Sequence, residues 1–179
     1  MYIFDKDEQT GSEDFVLPGT IGKYKATWTS NNEIVTLEEL SEDALVRNQF
    51  ISGSHALTVA LFAFLRPGDT LLSITGKPYD TLEEVIGIRP SKGSLAEYGV
   101  SYRQVDLLPD GSFDYENIRK AIHEKTKMVT IQRSKGYQTR PTLSVSRIGE
   151  LISYIKGIKP DVICMVDNCY GEFVEKEEP

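Results

Sequence analysis

The fold is indicated most clearly by residues 52–75, which read SGSHALTVALFAFLRPGDTLLSIT. The stretch from Ala56 to Leu65 is almost entirely apolar, which is typical of a buried helix. The Pro67-Gly68 pair then ends the helix in a turn, and Thr70–Thr75 has the composition of a short buried strand. A helix followed at once by a buried strand predicts an α/β protein, in which helices cover a sheet.

The alternation of helices and strands extends over most of the chain. The predicted strands are Ala44–Ile51, Thr70–Thr75, Val100–Leu107, Met128–Gln132 and Val162–Val166. The predicted helices after the first are Thr81–Ile88, Asp114–Ile122 with Asp114 as N-cap, and one that begins at Ser144 or Ser146. This order predicts a mostly parallel sheet with helices on both faces, which is a three-layer α/β/α architecture.

The amino-terminal residues fit this pattern less well. Residues 10–32 are rich in Gly, Thr, Ser and Asn and contain Trp28, and this composition indicates a loop, an irregular strand or disorder. We therefore expect residues 1–35 to be irregular or disordered and residues 36–179 to form the α/β domain.

Composition and charge exclude several classes of function. The 179 residues are 40% hydrophobic and 26% charged, as in folded soluble proteins, with a net charge of −7. The absence of a basic tract argues against nucleic-acid binding. No apolar run is long enough for a bilayer, and the acidic start does not resemble a signal peptide, so we expect a cytoplasmic protein without a membrane partner. Cys164 and Cys169 are expected to be reduced thiols, and no further ligands at suitable spacing suggest a metal site.

Ligands of open α/β sheets bind beyond the carboxyl ends of the strands, and residues 52–56 (SGSHA) lie at such a position. Gly53, with the hydroxyl groups of Ser52 and Ser54, can form a phosphate cradle at the positive end of a helix. Alternatively, Ser52 or Ser54 only caps the helix and Gly53 eases the turn. His55 is either a ligand contact or acid–base group, or a packed residue of the first helical turn.

Two further strand ends carry candidate residues. Tyr79, in residues 76–84 (GKPYDTLEE), can stack on a flat ligand or pack on its own helix, and Lys77 needs no function. Asp167, in residues 166–173 (VDNCYGEF), can pair with a cationic ring nitrogen or cap the following turn. Asn168 and Tyr170 either complete that site or fill it.

A fourth candidate segment, residues 131–141 (IQRSKGYQTRP), also follows a strand. Arg133, Lys135 and Arg140 offer a positive field for phosphate or carboxylate groups, although a solvated loop of mixed charge explains them as well. A phosphate cradle, a stacking aromatic ring and a strand-end carboxylate at one edge of a sheet match the plan of a pyridoxal-phosphate site.

Three segments carry a family resemblance: residues 44–88, residues 126–141 (TKMVTIQRSKGYQTRP) and residues 161–179 (DVICMVDNCYGEFVEKEEP). They closely resemble the bacterial methionine gamma-lyase-like proteins, often called aluminium resistance proteins, from about Thr36 to Pro179. The resemblance implies part of the large domain of a fold type I, aspartate-aminotransferase-like enzyme that depends on pyridoxal 5'-phosphate (PLP). It also implies carbon–sulfur lysis of a small amino-acid substrate, and a homo-oligomer with active sites at a dimer interface.

The resemblance also implies roles for individual residues. Gly53 and Ser54 would contact the cofactor phosphate. Tyr79 would stack on the pyridine ring, and Asp167 would pair with its protonated nitrogen. Four more residues are implied as contacts to the phosphate or the substrate: Ser52, Arg133, Arg140 and Tyr170.

The family's Schiff-base lysine lies downstream of VDNCYGEF, in a Gly-Ser-rich segment that these residues do not reach. Lys77 and Lys135 do not match that motif, and the small carboxyl-terminal domain has no counterpart. We therefore expect a lyase fragment that is inactive unless another chain completes it. The alternative is a non-catalytic cofactor-binding or interaction module. A nucleotide-binding domain is disfavoured because no Gly-rich Rossmann or Walker pattern follows the strands.

Overall fold

The chain forms two compact units. The structure, a computed structural model, describes residues 11–16, 23–28, 34–39, 49–136, 138–171, 174–176 and 179, and for the first three ranges only the backbone. One unit comprises Met1–Gln49 and Lys176–Glu178, and the other comprises Phe50–Glu175 and Pro179.

The described residues of the first unit form an antiparallel sheet. Strand β1 (Gly11–Val16) pairs with β2 (Lys23–Trp28), which pairs with β3 (Ile34–Glu39). Of the loop, irregular strand or disorder expected for this segment, the structure shows strands, and they pair in an antiparallel sheet. The sequence of β2, KYKATW, has the two-residue alternation of a strand, but the Gly- and Asn-rich residues around it obscured that signal. The expected domain boundary after residue 35 falls inside β3.

The second unit has alternating helices and strands in its described residues. They are α1 (Gly53–Phe64), β4 (Thr70–Ser73), α2 (Asp80–Ile86), β5 (Ser101–Gln104), α3 (Tyr115–Ala121), β6 (Thr126–Gln132), α4 (Val145–Ile158) and β7 (Ile163–Asp167). The strands pair in parallel in the order β5-β4-β6-β7. The predicted helices and the predicted strands from Thr70 onward are thus confirmed, with ends that differ by a few residues. None of the described helices is long and apolar enough to cross a bilayer.

The predicted strand Ala44–Ile51 is not seen in its described part. Residues 49–51 form a turn and an irregular segment, and residues 44–48 lie outside the described residues. The Phe50 ring packs edge-on against His55, with 5.6 Å between ring centroids, and the Ile51 N–H donates to His55 Nδ1 at 3.4 Å. The apolar residues before α1 therefore contact the start of that helix instead of a sheet.

Two apolar cores lie on the two faces of the parallel sheet, because successive strand side chains point to opposite faces. The first core joins the sheet to α1 and α2 and includes Leu61, Leu71, Leu82, Ile86 and Met128. The second core joins the sheet to α3 and α4 and includes Leu72, Ile118, Val129, Ile148 and Leu151. Helices therefore cover both faces, which confirms the three-layer α/β/α fold class.

Polar side chains begin the helices where the sequence predicts. The Asp114 carboxylate accepts the Asn117 N–H at 2.9 Å at the start of α3. At the start of α4, Ser144 Oγ accepts the Arg147 N–H at 3.3 Å, so Ser144 and not Ser146 is the N-cap. These bonds satisfy N–H groups that have no acceptor within the helix.

Substitution of Leu72 tests whether this side chain lies in the second core. Its side chain is fully buried in β4, which lies between β5 and β6. We expect Leu72→Ala to lower the free energy of unfolding by about 2–5 kcal/mol, because it removes buried methyl groups and leaves a cavity. Urea denaturation measures the change, with Leu108→Ala as the control because Leu108 is 41% exposed. A loss no larger than that of the control would contradict the placement of Leu72 in the core.

Candidate active site at the carboxyl ends of the strands

The carboxyl ends of β4, β6 and β7 meet at one edge of the sheet. Gln132, the last residue of β6, is the register partner of Asp167, the last residue of β7. Both residues line a cavity of about 20 Å³ together with Ser73, with Leu57 of α1 and with Pro78. A cavity of this size holds about one water molecule. Asp167 therefore lies at the predicted strand end and faces the helix that carries the candidate phosphate cradle.

The Asp167 carboxylate is half-buried and caps the turn that follows β7. Its Oδ1 atom accepts the Cys169 N–H at 3.1 Å. This contact matches the structural alternative considered for Asp167. A carboxylate offers about four acceptor positions, so capping the turn is compatible with pairing to a ligand N–H group.

The first backbone N–H groups of α1 are available as hydrogen-bond donors. Ser52 is the N-cap, and its Oγ atom accepts the His55 N–H at 3.1 Å. The first N–H groups of a helix have no acceptor within it, which leaves those of Gly53 and Ser54 available. A Cβ atom on Gly53 would meet no described atom within 4 Å, so the space in front of this turn is open. Ser52 therefore acts as a cap, and the next two N–H groups can bind an anion.

A side-chain hydrogen bond joins the start of α1 to the start of α2. Ser54 Oγ and Thr81 Oγ1 are 2.8 Å apart, and Tyr79 occupies the N-cap position of α2, without a side-chain cap. The candidate phosphate cradle and the candidate stacking residue therefore lie on two helix starts that are linked directly. His55 contacts Phe50 and Ile51 and is a packed residue of the first turn.

Tyr79 is half-buried and lines a second cavity, of about 190 Å³, with Lys77, Gln132 and Lys135. Gly136 lies against its ring, because a Cβ atom there would be 2.9 Å from Tyr79 Cε2. The two cavities share Pro78 and Gln132, so Tyr79 and Asp167 line adjoining cavities.

Lys77 has a structural partner in α2. Its Nζ atom lies 2.7 Å from Glu83 Oε1 in α2. The hydrogen bond from Lys77 holds the pKa of the Glu83 carboxyl below its usual value. The pair therefore anchors the Lys77–Tyr79 loop to the helix that follows it.

The two arginines after β6 have different environments. Arg133 is fully buried, and its guanidinium contacts protein groups such as Glu175 Oε1, at 2.7 Å. Arg140 Nη2 donates to the backbone carbonyl oxygens of Gln132 (2.9 Å) and Ser134 (2.6 Å), and burial lowers its pKa. Arg140 also lines a cleft of about 440 Å³. The structure thus brings Arg140, but not Arg133, to a surface that a ligand can reach.

Tyr170 lies just beyond β7 and is 74% exposed. Its backbone has a φ of 67°, in the left-handed region that bulky residues rarely adopt. Its side chain is accessible to a ligand approaching the Asp167 edge, but it contributes little to the protein interior.

Several buried polar residues at the base of the site were not predicted from the sequence. Thr75 Oγ1 accepts the Gln132 N–H at 3.0 Å, and Ser73 Oγ donates to the Gly76 carbonyl oxygen at 2.6 Å. The signal that could have identified Ser73 and Gln132 is a polar residue that ends an apolar strand. The same signal identified Asp167.

A parallel sheet with helices on both faces, whose carboxyl edge carries a carboxylate, an aromatic ring and a helix start, has the fold of the large domain of fold type I PLP-dependent enzymes. More specifically, the chain belongs to the methionine gamma-lyase family, whose family model matches residues 32–179. Among solved structures it is similar to a candidate cystathionine beta-lyase involved in aluminium resistance from Listeria innocua, with 54% identity and a TM-score of 0.74. It is also similar to a carbon–sulfur lyase involved in aluminium resistance from Clostridium novyi, with 48% identity and a TM-score of 0.72.

These similarities cover most of this chain but a minor part of each relative. The two structural matches cover 75% of this chain and 33% and 32% of the respective relatives. The Bacillus subtilis protein YnbB is 55% identical over 140 residues, which are 77% of this chain and 33% of YnbB. The chain therefore spans about a third of the length of these relatives. Within the described residues, no group of three or more His, Cys, Asp or Glu side chains is arranged to hold a metal ion.

The two cysteines test the local environment of Asp167. Cys169 is exposed, whereas Cys164 is half-buried in β7 and burial raises the pKa of its thiol. Because the thiolate is the reactive form, we expect iodoacetamide to alkylate Cys169 at least about ten-fold faster than Cys164 near neutral pH. Timed alkylation with peptide mass spectrometry measures both rates, and Cys169→Ser should leave only the slow reaction. Equal rates at the two thiols would contradict this description of β7 and the turn.

Proposed function

We propose that this chain supplies the cofactor-binding part of a PLP-dependent carbon–sulfur lyase that acts on a sulfur-containing amino acid. The observation that carries the proposal is that Asp167 and Tyr79 line adjoining cavities, while the start of α1 is joined to the start of α2, beside Tyr79, through Ser54 and Thr81. Membership of the methionine gamma-lyase family supports the reaction class. We propose that these residues alone do not carry out the reaction, because neither Lys77 nor Lys135 matches the family's Schiff-base lysine motif.

The chemistry of these residues fits PLP. When bound, PLP supplies a ring that withdraws electrons from the substrate's alpha carbon. The Asp167 carboxylate holds a proton at the pyridine nitrogen, because a negative charge beside that atom favours its protonated form. The Tyr79 ring covers one face of the cofactor and limits its contact with water. In this arrangement the protein supplies binding, orientation and charge.

The start of α1 binds the cofactor phosphate in this proposal. The N–H groups of Gly53 and Ser54 donate to phosphate oxygens, and the positive end of the helix dipole adds to the attraction. Ser52 keeps its capping bond to His55 and so holds the turn in place. Arg140 and Tyr170 border the same edge and contribute to binding the phosphate or the substrate carboxylate.

The residues that would hold PLP line two adjoining cavities. The space at Asp167 is about 20 Å³ and that at Tyr79 about 190 Å³, and Pro78 and Gln132 border both. Gln132 lines both cavities, and its side-chain amide could contact a ring substituent of the cofactor.

Asp167→Asn tests the proposed pairing with the pyridine nitrogen. A hydrogen bond to a charged group contributes about 1.5–3 kcal/mol, so the Kd for PLP is expected to rise roughly 10- to 150-fold. The quenching of intrinsic fluorescence during a PLP titration measures the change. The matched control is Asp161→Asn, which changes an exposed carboxylate just before β7 that pairs with Lys159. An equal Kd for wild type and Asp167→Asn would contradict the pairing, and a wild type that does not bind PLP would contradict cofactor binding by this chain.

Borohydride reduction tests the lysines beside Tyr79 in the same titration. We expect no stoichiometric adduct on a single lysine, because Lys77 is paired with Glu83 and neither Lys77 nor Lys135 matches the family's lysine motif. Peptide mass spectrometry locates any adduct. One adduct per chain, confined to Lys77 or Lys135, would overturn this assignment and make that lysine the covalent attachment site.

We also propose that the chain self-associates through the outer face of α1. This helix is apolar on nearly all sides, which is typical of helices buried on all sides. Val59 and Phe64 are nevertheless 42% and 52% exposed. A second copy of the chain would cover them and bring two α1 helices, with their phosphate cradles, to one interface.

Phe64→Glu tests this association. A charge on the outer face of α1 should shift the protein toward monomer, because burying an unpaired carboxylate at an interface is unfavourable. Sedimentation velocity over a range of concentrations measures the shift. Leu108→Glu, at a loop residue that is also partly exposed, serves as the control. A wild-type protein that stays monomeric at every concentration would contradict the proposed self-association.

A further inference from the structure

Arg133 is a charged residue with no exposed surface. It directly follows β6, and its relative accessibility is 0%. A buried charge is strongly unfavourable unless it is paired and hydrogen-bonded. The positions of its partners therefore indicate what this guanidinium group does.

The guanidinium group holds the segment that follows Asp167. Nη1 donates to Asn168 Oδ1 at 2.7 Å and to the Gly171 carbonyl oxygen at 2.8 Å. Nη2 forms an ion pair with Glu175 Oε1 at 2.7 Å. These three partners lie 35 to 42 residues from Arg133 in the sequence, within one short segment.

The backbone completes the connection between Arg133 and the Asp167 carboxylate. The Arg133 N–H donates to the Asp167 carbonyl oxygen at 3.0 Å. The Gly171 N–H donates to the Asn168 carbonyl oxygen at 2.7 Å and closes a tight turn. Within that turn, the Cys169 N–H donates to Asp167 Oδ1. The turn that Arg133 holds thus provides a hydrogen bond that orients the Asp167 carboxylate.

Gly171 allows the close approach of Arg133 to the turn. A Cβ atom at this position would lie 2.5 Å from Asn168 Oδ1 and 2.8 Å from Arg133 Cδ. Both distances are below van der Waals contact, so any larger residue would displace the guanidinium or the Asn168 side chain.

Glu175 connects the same group to α4. Its Oε1 atom accepts the N–H of Val145, the first residue of α4, at 3.1 Å, in addition to its ion pair with Arg133. Ser144 caps the same helix start through Arg147 but does not take part in the Arg133 ion pair. The two acceptors at this helix start can therefore be removed separately.

We propose that Arg133 is a positioning residue, which fixes the turn at residues 168–171 and thereby the orientation of the Asp167 carboxylate. The consequence for the cofactor rests on the proposed function, because it requires Asp167 to pair with the pyridine nitrogen. This role differs from the contact to phosphate or substrate that the family resemblance implies for Arg133. It also explains why an arginine after β6 is buried among side chains from a distant segment.

The test removes one partner of Arg133 in one variant, crowds its approach to Gly171 in another, and reads out the turn directly. Glu175→Ala and Gly171→Ala are compared with Ser144→Ala, the matched control that removes only the other acceptor at the α4 start. Amide hydrogen exchange by NMR reports the Cys169 N–H, with Leu72 and Val129 as reporters of the sheet. We expect Cys169 to exchange at least about ten-fold faster in both test variants, while the sheet amides and the control stay within about three-fold of wild type. Glu175→Gln retains an acceptor oxygen and should recover part of the protection.

If Arg133→Lys folds, it tests the role of the guanidinium directly. If it does not fold, Glu175→Ala and Gly171→Ala test whether Arg133 holds the turn. Unchanged Cys169 exchange in both of these variants would overturn the proposal. The Kd for PLP is measured on the same samples and is expected to rise about ten-fold in Glu175→Ala, because a misoriented carboxylate pairs poorly. Faster Cys169 exchange with an unchanged Kd would also overturn the positioning role. A wild type that does not bind PLP contradicts the proposed function alone, since the exchange measurement still reports whether Arg133 holds the turn.

Discussion

The parallel pairing of β4 with both β5 and β6 constrains the rest of the second unit. Parallel neighbours require a crossover connection, usually a helix, and this places helices on the faces of the sheet. Leu71 and Leu72, adjacent in β4, point to opposite faces, and both are fully buried. Parallel strands also end at the same edge. The topology that requires two apolar cores therefore gathers the residues at the carboxyl ends into one place.

Polar groups at that edge are buried and hydrogen-bonded to one another. Ser73, Thr75 and Gln132 are each no more than 9% exposed. The bond from the Gln132 N–H to Thr75 connects the ends of β6 and β4, and the bond from Ser73 to Gly76 closes the turn after β4. Buried polar groups are costly when they are unpaired, so these bonds restrict how the chain can leave the sheet. A rigid floor of this kind suits a ligand site, because the groups that bind do not have to be ordered at the moment of binding.

Much of the second unit could be predicted from the sequence because its signals are local. Apolar runs identify β4, β6 and β7, and Asp114 and Ser144 cap their helices through bonds that span three residues. The burial of Arg133 could not be predicted in this way. In sequence, Arg133 lies in a loop of mixed charge, and its carboxylate partner, Glu175, is 42 residues away. Only the folded arrangement of β6 beside β7 brings the two together.

The same difference between local and distant signals applies to the residues of the candidate site. Asp167 could be found because it ends an apolar strand, and Gly53 because it lies between two serines at a helix start. That Tyr79 and Asp167 line adjoining cavities depends on the register of β6 with β7 and on the link from Ser54 to Thr81, neither of which is local. The antiparallel strands of the first unit were missed for a different reason. The Gly- and Asn-rich stretches between them outweighed the alternation within β2.

The turn after β7 shows how a strained conformation is maintained beside the candidate site. Tyr170 has a φ of 67°, which is unfavourable for a bulky residue by about 1–3 kcal/mol. Such a residue persists only where its surroundings determine the backbone. Here the residues on both sides are held, since Asn168 and Gly171 bind Arg133 and the Cys169 N–H binds Asp167. The proposed role of Arg133 therefore extends to Tyr170, because the guanidinium that holds Asn168 and Gly171 fixes the backbone on both sides of that residue.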